Sequence, residues 1–143
     1  MARHTLRGNF TEDETRRLIV ADGNLNMGHR IIRFVISGNP NTSTNDAYAL
    51  LCTDKDTENK WNWSDNRQIG WASTVMVSTG GASTAFEVID PEHIVLQDLF
   101  IKGKVGSSGG NSEINYLIEL EPVTLTDEQS VIQLIKERSQ DDI

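Results

Sequence analysis

The segment Asp54-Lys55-Asp56-Thr57-Glu58 sets carboxylates at alternate positions, and a curled loop of that kind can converge oxygens on a hard cation. Asp65 stands where an EF-hand loop carries its last ligand. Asn59, however, occupies the place that needs glycine, and neither flank has helical periodicity, so the segment reads as a solvated acidic loop and no metal site is expected. Trp61 and Trp63 follow directly. Alternate residues on an extended segment share a face, so this pair, with Trp71 close by, could stack on a sugar ring or anchor a protein partner. Core packing is the competing role for tryptophans in a small β domain. Asp65-Asn66-Arg67 can brace the same loop by side-chain to backbone hydrogen bonds.

Nucleophilic chemistry needs a base within hydrogen-bond reach, and the chain has no motif that enforces such proximity. Its one Gly-x-Ser-x-Gly spelling, Gly106-Ser107-Ser108-Gly109-Gly110, falls in the Gly/Ser-rich loop with no helix after it and so is no nucleophile elbow, and the chain lacks a glycine loop opening a helix onto phosphate and a His-Glu-x-x-His pair. His4, His29 and His93 stand far apart and read as surface or strand-edge residues. The single cysteine, Cys52, lies in the apolar run Ala47-Tyr48-Ala49-Leu50-Leu51-Cys52, where an inert buried thiol is expected. No catalytic residue, cofactor or enzymatic activity is therefore predicted.

The elements that must position these residues are mainly strands. Arg16 to Val20 makes a short one, closed by the turn chemistry of Asp22-Gly23-Asn24. Arg30 to Ile36 is β-branched and aromatic, with Ile32, Phe34 and Ile36 expected on one side of the pleat. Gly38 to Asp46 reads as an exposed loop before the strand Ala47 to Thr53. Ile69, Trp71, Ser73, Val75 and Val77 are expected to share a face until Thr79-Gly80-Gly81-Ala82-Ser83 breaks the pattern. Phe86 to Ile89 is brief and stopped by Asp90-Pro91. His93 to Ile101, apolar on both faces, reads as a buried strand that the Gly/Ser-rich loop 103–113 joins to an antiparallel partner, Ile114 to Leu120. Thr126, Asp127, Glu128 and Gln129 form a capping box for one helix, with Lys136 and Arg138 suiting its far end. Its apolar stripe, Val131, Ile132 and Ile135, would dock on its own domain or on a neighbour.

These elements predict one mainly β domain: an antiparallel β-sandwich or jelly-roll over residues 16–125, an N-terminal arm over 1–15, and a short C-terminal helix and tail over 126–143. No apolar run approaches the roughly 20 residues that span a bilayer, so no membrane partner is expected, and synthesis in a cytoplasm is. The net charge of −8 disfavours general nucleic-acid binding. That charge is uneven, at +2 over residues 1–35 and −10 over the rest, so Arg3 and Arg7 on the arm could reach an acidic neighbour or simply be solvated.

Three groups of segments carry a resemblance. They are Leu18-Ile19-Val20-Ala21-Asp22-Gly23 with Gly28-His29-Arg30-Ile31-Ile32-Arg33-Phe34, then Trp63-Ser64-Asp65-Asn66-Arg67-Gln68-Ile69-Gly70-Trp71, then Asp90-Pro91-Glu92-His93-Ile94-Val95 with Asn115-Tyr116-Leu117-Ile118-Glu119-Leu120. In that order, across residues 16–121, they resemble small virion structural proteins of marine and freshwater tailed bacteriophages. The resemblance implies a capsid-associated role in the virion, with the major capsid protein as partner and a homo-oligomer, possible as a trimer, as the working form. A decoration or cement protein fits it, with Arg3, Arg7, Trp61, Trp63, Val131 and Ile135 as partner-binding residues. A carbohydrate- or receptor-binding module of a tail or head fibre is the alternative reading.

Overall fold

The structure, a computed structural model, describes residues 4–20, 27–38, 45–76, 84–106 and 113–137. Arg3, the Asp22-Gly23-Asn24 turn, most of the 38–46 loop, the break at 79–83, the centre of the Gly/Ser loop and Arg138 lie outside them. Among the described residues, nine strands and one helix follow in chain order: β1 (His4–Thr11), β2 (Arg16–Ile19), β3 (Met27–Ser37), β4 (Asn45–Cys52), β5 (Gln68–Met76), β6 (Thr84–Ile89), β7 (Ile94–Val95), β8 (Asp98–Val105), β9 (Glu113–Thr124) and α1 (Asp127–Glu137).

The strands form two antiparallel sheets, ordered β1-β9-β3-β7 and β2-β8-β4-β5-β6. With β6 set aside, the first strand pairs with the last, β2 with β8, β3 with β7, and β4 with β5. That is one long antiparallel ribbon rolled on itself, which is the jelly-roll form of the sandwich. β6 is an addition, paired only to the outer side of β5.

Period-two alternation builds the core. Phe10, Phe34, Ile36, Ile114, Ile118 and Leu120 from the four-stranded sheet meet Leu18, Ala49, Leu51, Ala72, Leu99 and Ile101 from the other. Two β-bulges shift that period. Ile32 is the extra residue between the pairs Ile31↔Leu120 and Arg33↔Glu119, so Ile31, not Ile32, is buried with Phe34 and Ile36. Ile69 is extra between Leu51↔Gly70 and Cys52↔Gln68, so it enters the main core while Trp71 packs on the opposite side of the sheet. The single faces expected for Ile32-Phe34-Ile36 and for Ile69 to Val75 are both corrected by these insertions.

Two other expectations change. Residues 93–101 are not one strand: β7 pairs with β3, the chain crosses at Leu96-Gln97, and β8 joins the other sheet between β2 and β4. β8 and β9 accordingly lie in opposite sheets and do not pair. The segment read as an arm is largely β1, paired with β9 from His4↔Leu120 to Thr11↔Glu113. Its inward positions are His4, Leu6, Gly8 and Phe10, and Gly8 leaves its space to the Tyr116 ring, so half of the alternation carries no apolar side chain. The acidic cluster Glu12-Asp13-Glu14 is the corner between the sheets. Asp13 takes a φ of 65°, Glu14 closes the turn through the Thr11 N–H at 2.9 Å, and Glu12 accepts the Val105 N–H at 3.0 Å.

The bulge in β3 sets a direct test. Ile31→Ala should cost about 2–5 kcal/mol in chemical unfolding, as for a fully packed core site. Ile32→Ala should cost clearly less. The reverse ranking would place the bulge wrongly.

Candidate functional site

The chemistry-bearing residues gather on the outer face of the five-stranded sheet. The second half of β4 is apolar on both sides: Ala49 and Leu51 face the main core with Ala47, while Leu50 and Cys52 face outward with Trp71, Trp61, Val88 and Phe100. The connection 53–67 folds back to cover that outer cluster. Its polar backbone is satisfied by two buried side chains. Lys102, on β8, donates from Nζ to the carbonyl of Lys55 at 2.6 Å and to that of Thr57. Gln68, at the start of β5, accepts the Asn62 N–H at 2.8 Å and the Trp71 indole N–H at 2.9 Å, and donates to the Lys60 carbonyl at 2.8 Å.

The acidic loop is thereby organised around an internal cation. Asp54 accepts the Asp56 N–H at 2.9 Å, and its carbonyl accepts the Thr57 hydroxyl at 2.7 Å. Thr57 is buried, so the loop is tied to the sheet and is not simply a solvated run. Asp65 is committed elsewhere. Its buried carboxylate accepts the Arg67 backbone N–H at 2.9 Å and receives the guanidinium at 3.0 and 2.9 Å, which is the bracing expected of Asp65-Asn66-Arg67. Those Asp65 hydrogen bonds push the Arg67 pKa further upward. Among the described residues, no three His, Cys, Asp or Glu side chains converge as a metal set.

The tryptophan pair does not share a face. Asp65 N–H bonds to the Asn62 carbonyl at 3.0 Å and Ser64 N–H to the Asn62 side chain at 3.1 Å, so the chain turns between the two rings instead of extending. Trp61 is half-buried, stacked on Phe86 at 5.6 Å and edge-on to Tyr48 at 6.2 Å, with its indole N–H on the Ala49 carbonyl at 3.2 Å. Trp63 is 64% exposed and rests against the edge of Trp71. Phe86 and Val75, 43% and 40% exposed, extend this aromatic face toward the sheet edge.

The other candidates are scattered. Arg7 is exposed on the outer face of the four-stranded sheet, opposite Leu117. Four neighbouring arginines are already paired within the chain, Arg16 with Glu14, Arg17 with Asp98, Arg30 with Glu121 and Arg33 with Glu119. The N-terminal excess of positive charge is largely engaged in this way. On α1 the capping box forms, with Gln129 N–H to the Thr126 hydroxyl at 3.2 Å and Thr126 N–H to the Gln129 side chain at 2.9 Å. The helix rests on its domain through Leu125 and Ser130, and Val131, Ile132 and Ile135 point outward, each about half exposed.

Two features had no signal in the sequence. His29 and His93 are buried, not at the surface, and His29 lies edge-on to His4 at 5.6 Å in an apolar cleft of about 220 Å³ lined also by Leu6, Ile19, Val20 and Leu120. Only the shared neighbour β9 brings β1 and β3 close enough for that meeting. Gln68 and Lys102, the two residues that hold the loop down, are long polar side chains whose burial depends entirely on tertiary context.

No protein-family model matches the chain, and no curated protein matches it.

Lys102→Met should lower stability by about 1–3 kcal/mol for each carbonyl left without a donor, and should red-shift tryptophan emission as the loop lifts from Trp61. Unchanged emission would remove Lys102 from this role. Burial pushes the Cys52 thiol from its usual 9.0 up to about 11. Its folded pKa lies above the unfolded one, so its contribution to stability is full below pH 9.0 and is lost as pH climbs toward about 11. The thiol should resist thiol-specific reagents at pH 8 until the protein unfolds, and Cys52→Ala should flatten the alkaline fall in stability.

Proposed function

We propose that the protein is a structural component of a bacteriophage virion, a decoration or cement protein that sits on the head and braces neighbouring major capsid subunits. The observation that carries this reading is the outward apolar stripe of α1, Val131, Ile132 and Ile135, held on a rigid jelly-roll body by a formed capping box. A helix that leaves its apolar face outside its own domain is suited to burying it against another subunit. The fold supports the reading by analogy, because viral capsid domains use the jelly-roll widely, although lectin domains use it too. The resemblance of residues 16–121 to small phage virion proteins points the same way.

The glycan-binding alternative draws on a paired tryptophan platform. With Trp61 turned inward against Phe86 and Tyr48, only Trp63 offers a broad indole face, which leaves that reading weaker.

Particles purified from the phage should contain the protein, and cryo-electron microscopy should place α1 against the capsid lattice. A Val131→Glu, Ile135→Glu double variant should keep its melting temperature and lose particle binding. Absence of the protein from purified particles overturns the proposal. Glycan binding that disappears in Trp63→Ala, without particle association, would establish the alternative.

A further inference from the structure

β1 and β2 are consecutive strands that belong to opposite sheets and meet at the corner 12–15. Both lead away from that corner, so their far ends, His4 on β1 and Ile19 on β2, come to the same end of the sandwich and frame a mouth between the sheets. Behind it lies the cleft of about 220 Å³, apolar along Leu6, Ile19, Val20 and Leu120. Leu120 belongs to the main core and Leu6 and Val20 pack against it, so the floor of the cleft is the core itself.

One wall differs. His4, paired with Leu120, and His29, two residues before Ile31 on β3, stand at inward positions where the rest of the sandwich carries mainly aliphatic and aromatic side chains. Their rings meet edge-on at 5.6 Å, with His29 buried and His4 exposed at the rim. Among the described lining residues these imidazoles are the only titratable groups, and no carboxylate joins them. Beside the wall, Ile19 is 68% exposed, the most exposed large apolar side chain among the described residues.

We propose that this mouth binds a small carboxylic acid with an apolar body, a single aromatic ring or a short alkyl chain. Size sets the body. An apolar cavity of about 150 Å³ already holds benzene, and pockets for drug-sized ligands begin at roughly 300 Å³, so the cleft suits one ring and its head group. The imidazole wall sets the head, because ring N–H groups donate to carboxylate oxygens in charge-assisted hydrogen bonds about twice as strong as neutral ones. An ammonium would find no carboxylate in the lining to pair with. The bound acid lies with its body on Leu6, Val20 and Leu120, its head at His4 and His29, and Ile19 covering its outer side. The inference goes beyond the virion reading and does not rest on it.

Titration of the full chain with benzoate, followed by proton–nitrogen NMR, should give saturable shifts centred on Leu6, Ile19, Val20, His29 and Leu120. Benzyl alcohol, the same ring without the charge, should bind at least about tenfold more weakly. His4→Phe keeps a ring beside His29 at an exposed position, so it should keep its melting temperature and its affinity for benzyl alcohol while losing about 10–100-fold in affinity for benzoate. Ile19→Asp, at an equally exposed side chain, should weaken benzoate more than benzyl alcohol. The proposal is overturned by equal affinity for the two probes, by benzoate binding that survives both variants or moves other residues instead, or by no saturable shift at millimolar benzoate.

Discussion

The second half of β4, Ala49 to Cys52, has no polar side to give to solvent. Leu51 and Ala49 complete the core between the sheets, while Leu50 and Cys52 need an equally dry environment on the opposite face. The molecule meets that demand by folding residues 53–67 back as a third layer, and a loop placed over apolar side chains must find partners for its backbone. Lys102 and Gln68 supply them from within the sheet itself. A buried ammonium is costly alone, yet here it is surrounded by carbonyl oxygens that would otherwise be stranded, so each offsets the other's desolvation. Trp61 of this layer stacks on Phe86 of β6 and Trp63 meets Trp71 of β5 edge-on, so the layer is pinned to the sheet by aromatic contacts.

The same demand explains why the acidic loop looks like a cation site in the sequence. The loop does curl about a positive centre, but it does so with carbonyls: Lys102 takes those of Lys55 and Thr57, while the Asp54 carboxylate holds the Asp56 N–H and Glu58 pairs with Lys60. One-dimensional spacing does not distinguish an ion from an ammonium arriving from a strand about 45 residues away, as the Thr57 to Lys102 bond does.

Legibility followed locality. The capping box at Thr126 and Gln129, the Asp65-Arg67 brace and the mainly β sandwich were readable because each depends on neighbours in sequence or on simple alternation. Alternation failed wherever one residue was inserted: Ile32 and Ile69 each displace the pattern by one position, and nothing in their side chains marks them as bulges. β1 was hidden because two of its inward positions are His4 and Gly8, the latter a space filled by Tyr116 from the neighbouring strand. The run 93–101 looked like one strand because apolar residues on both faces can serve two layers at once or, as here, three separate clusters: Ile94 and Leu96 in one, Val95, Leu99 and Ile101 in the main core, and Phe100 in the third. The tryptophan pair misled for a comparable reason, since one backbone and one side-chain hydrogen bond at Asn62 suffice to turn an extended segment.

The position of β9 between β1 and β3 also constrains the order in which the molecule can come together. Until residues 113–124 have left the ribosome, β1 has no strand to join and β3 has only the two-residue β7 beside it. The strands of the opposite sheet are all supplied by residues 16–105, but until β9 arrives their inner apolar face has no complete layer to cover it. The chain is born with its core open on one side, and threading β9 between two waiting strands is the event that seals it.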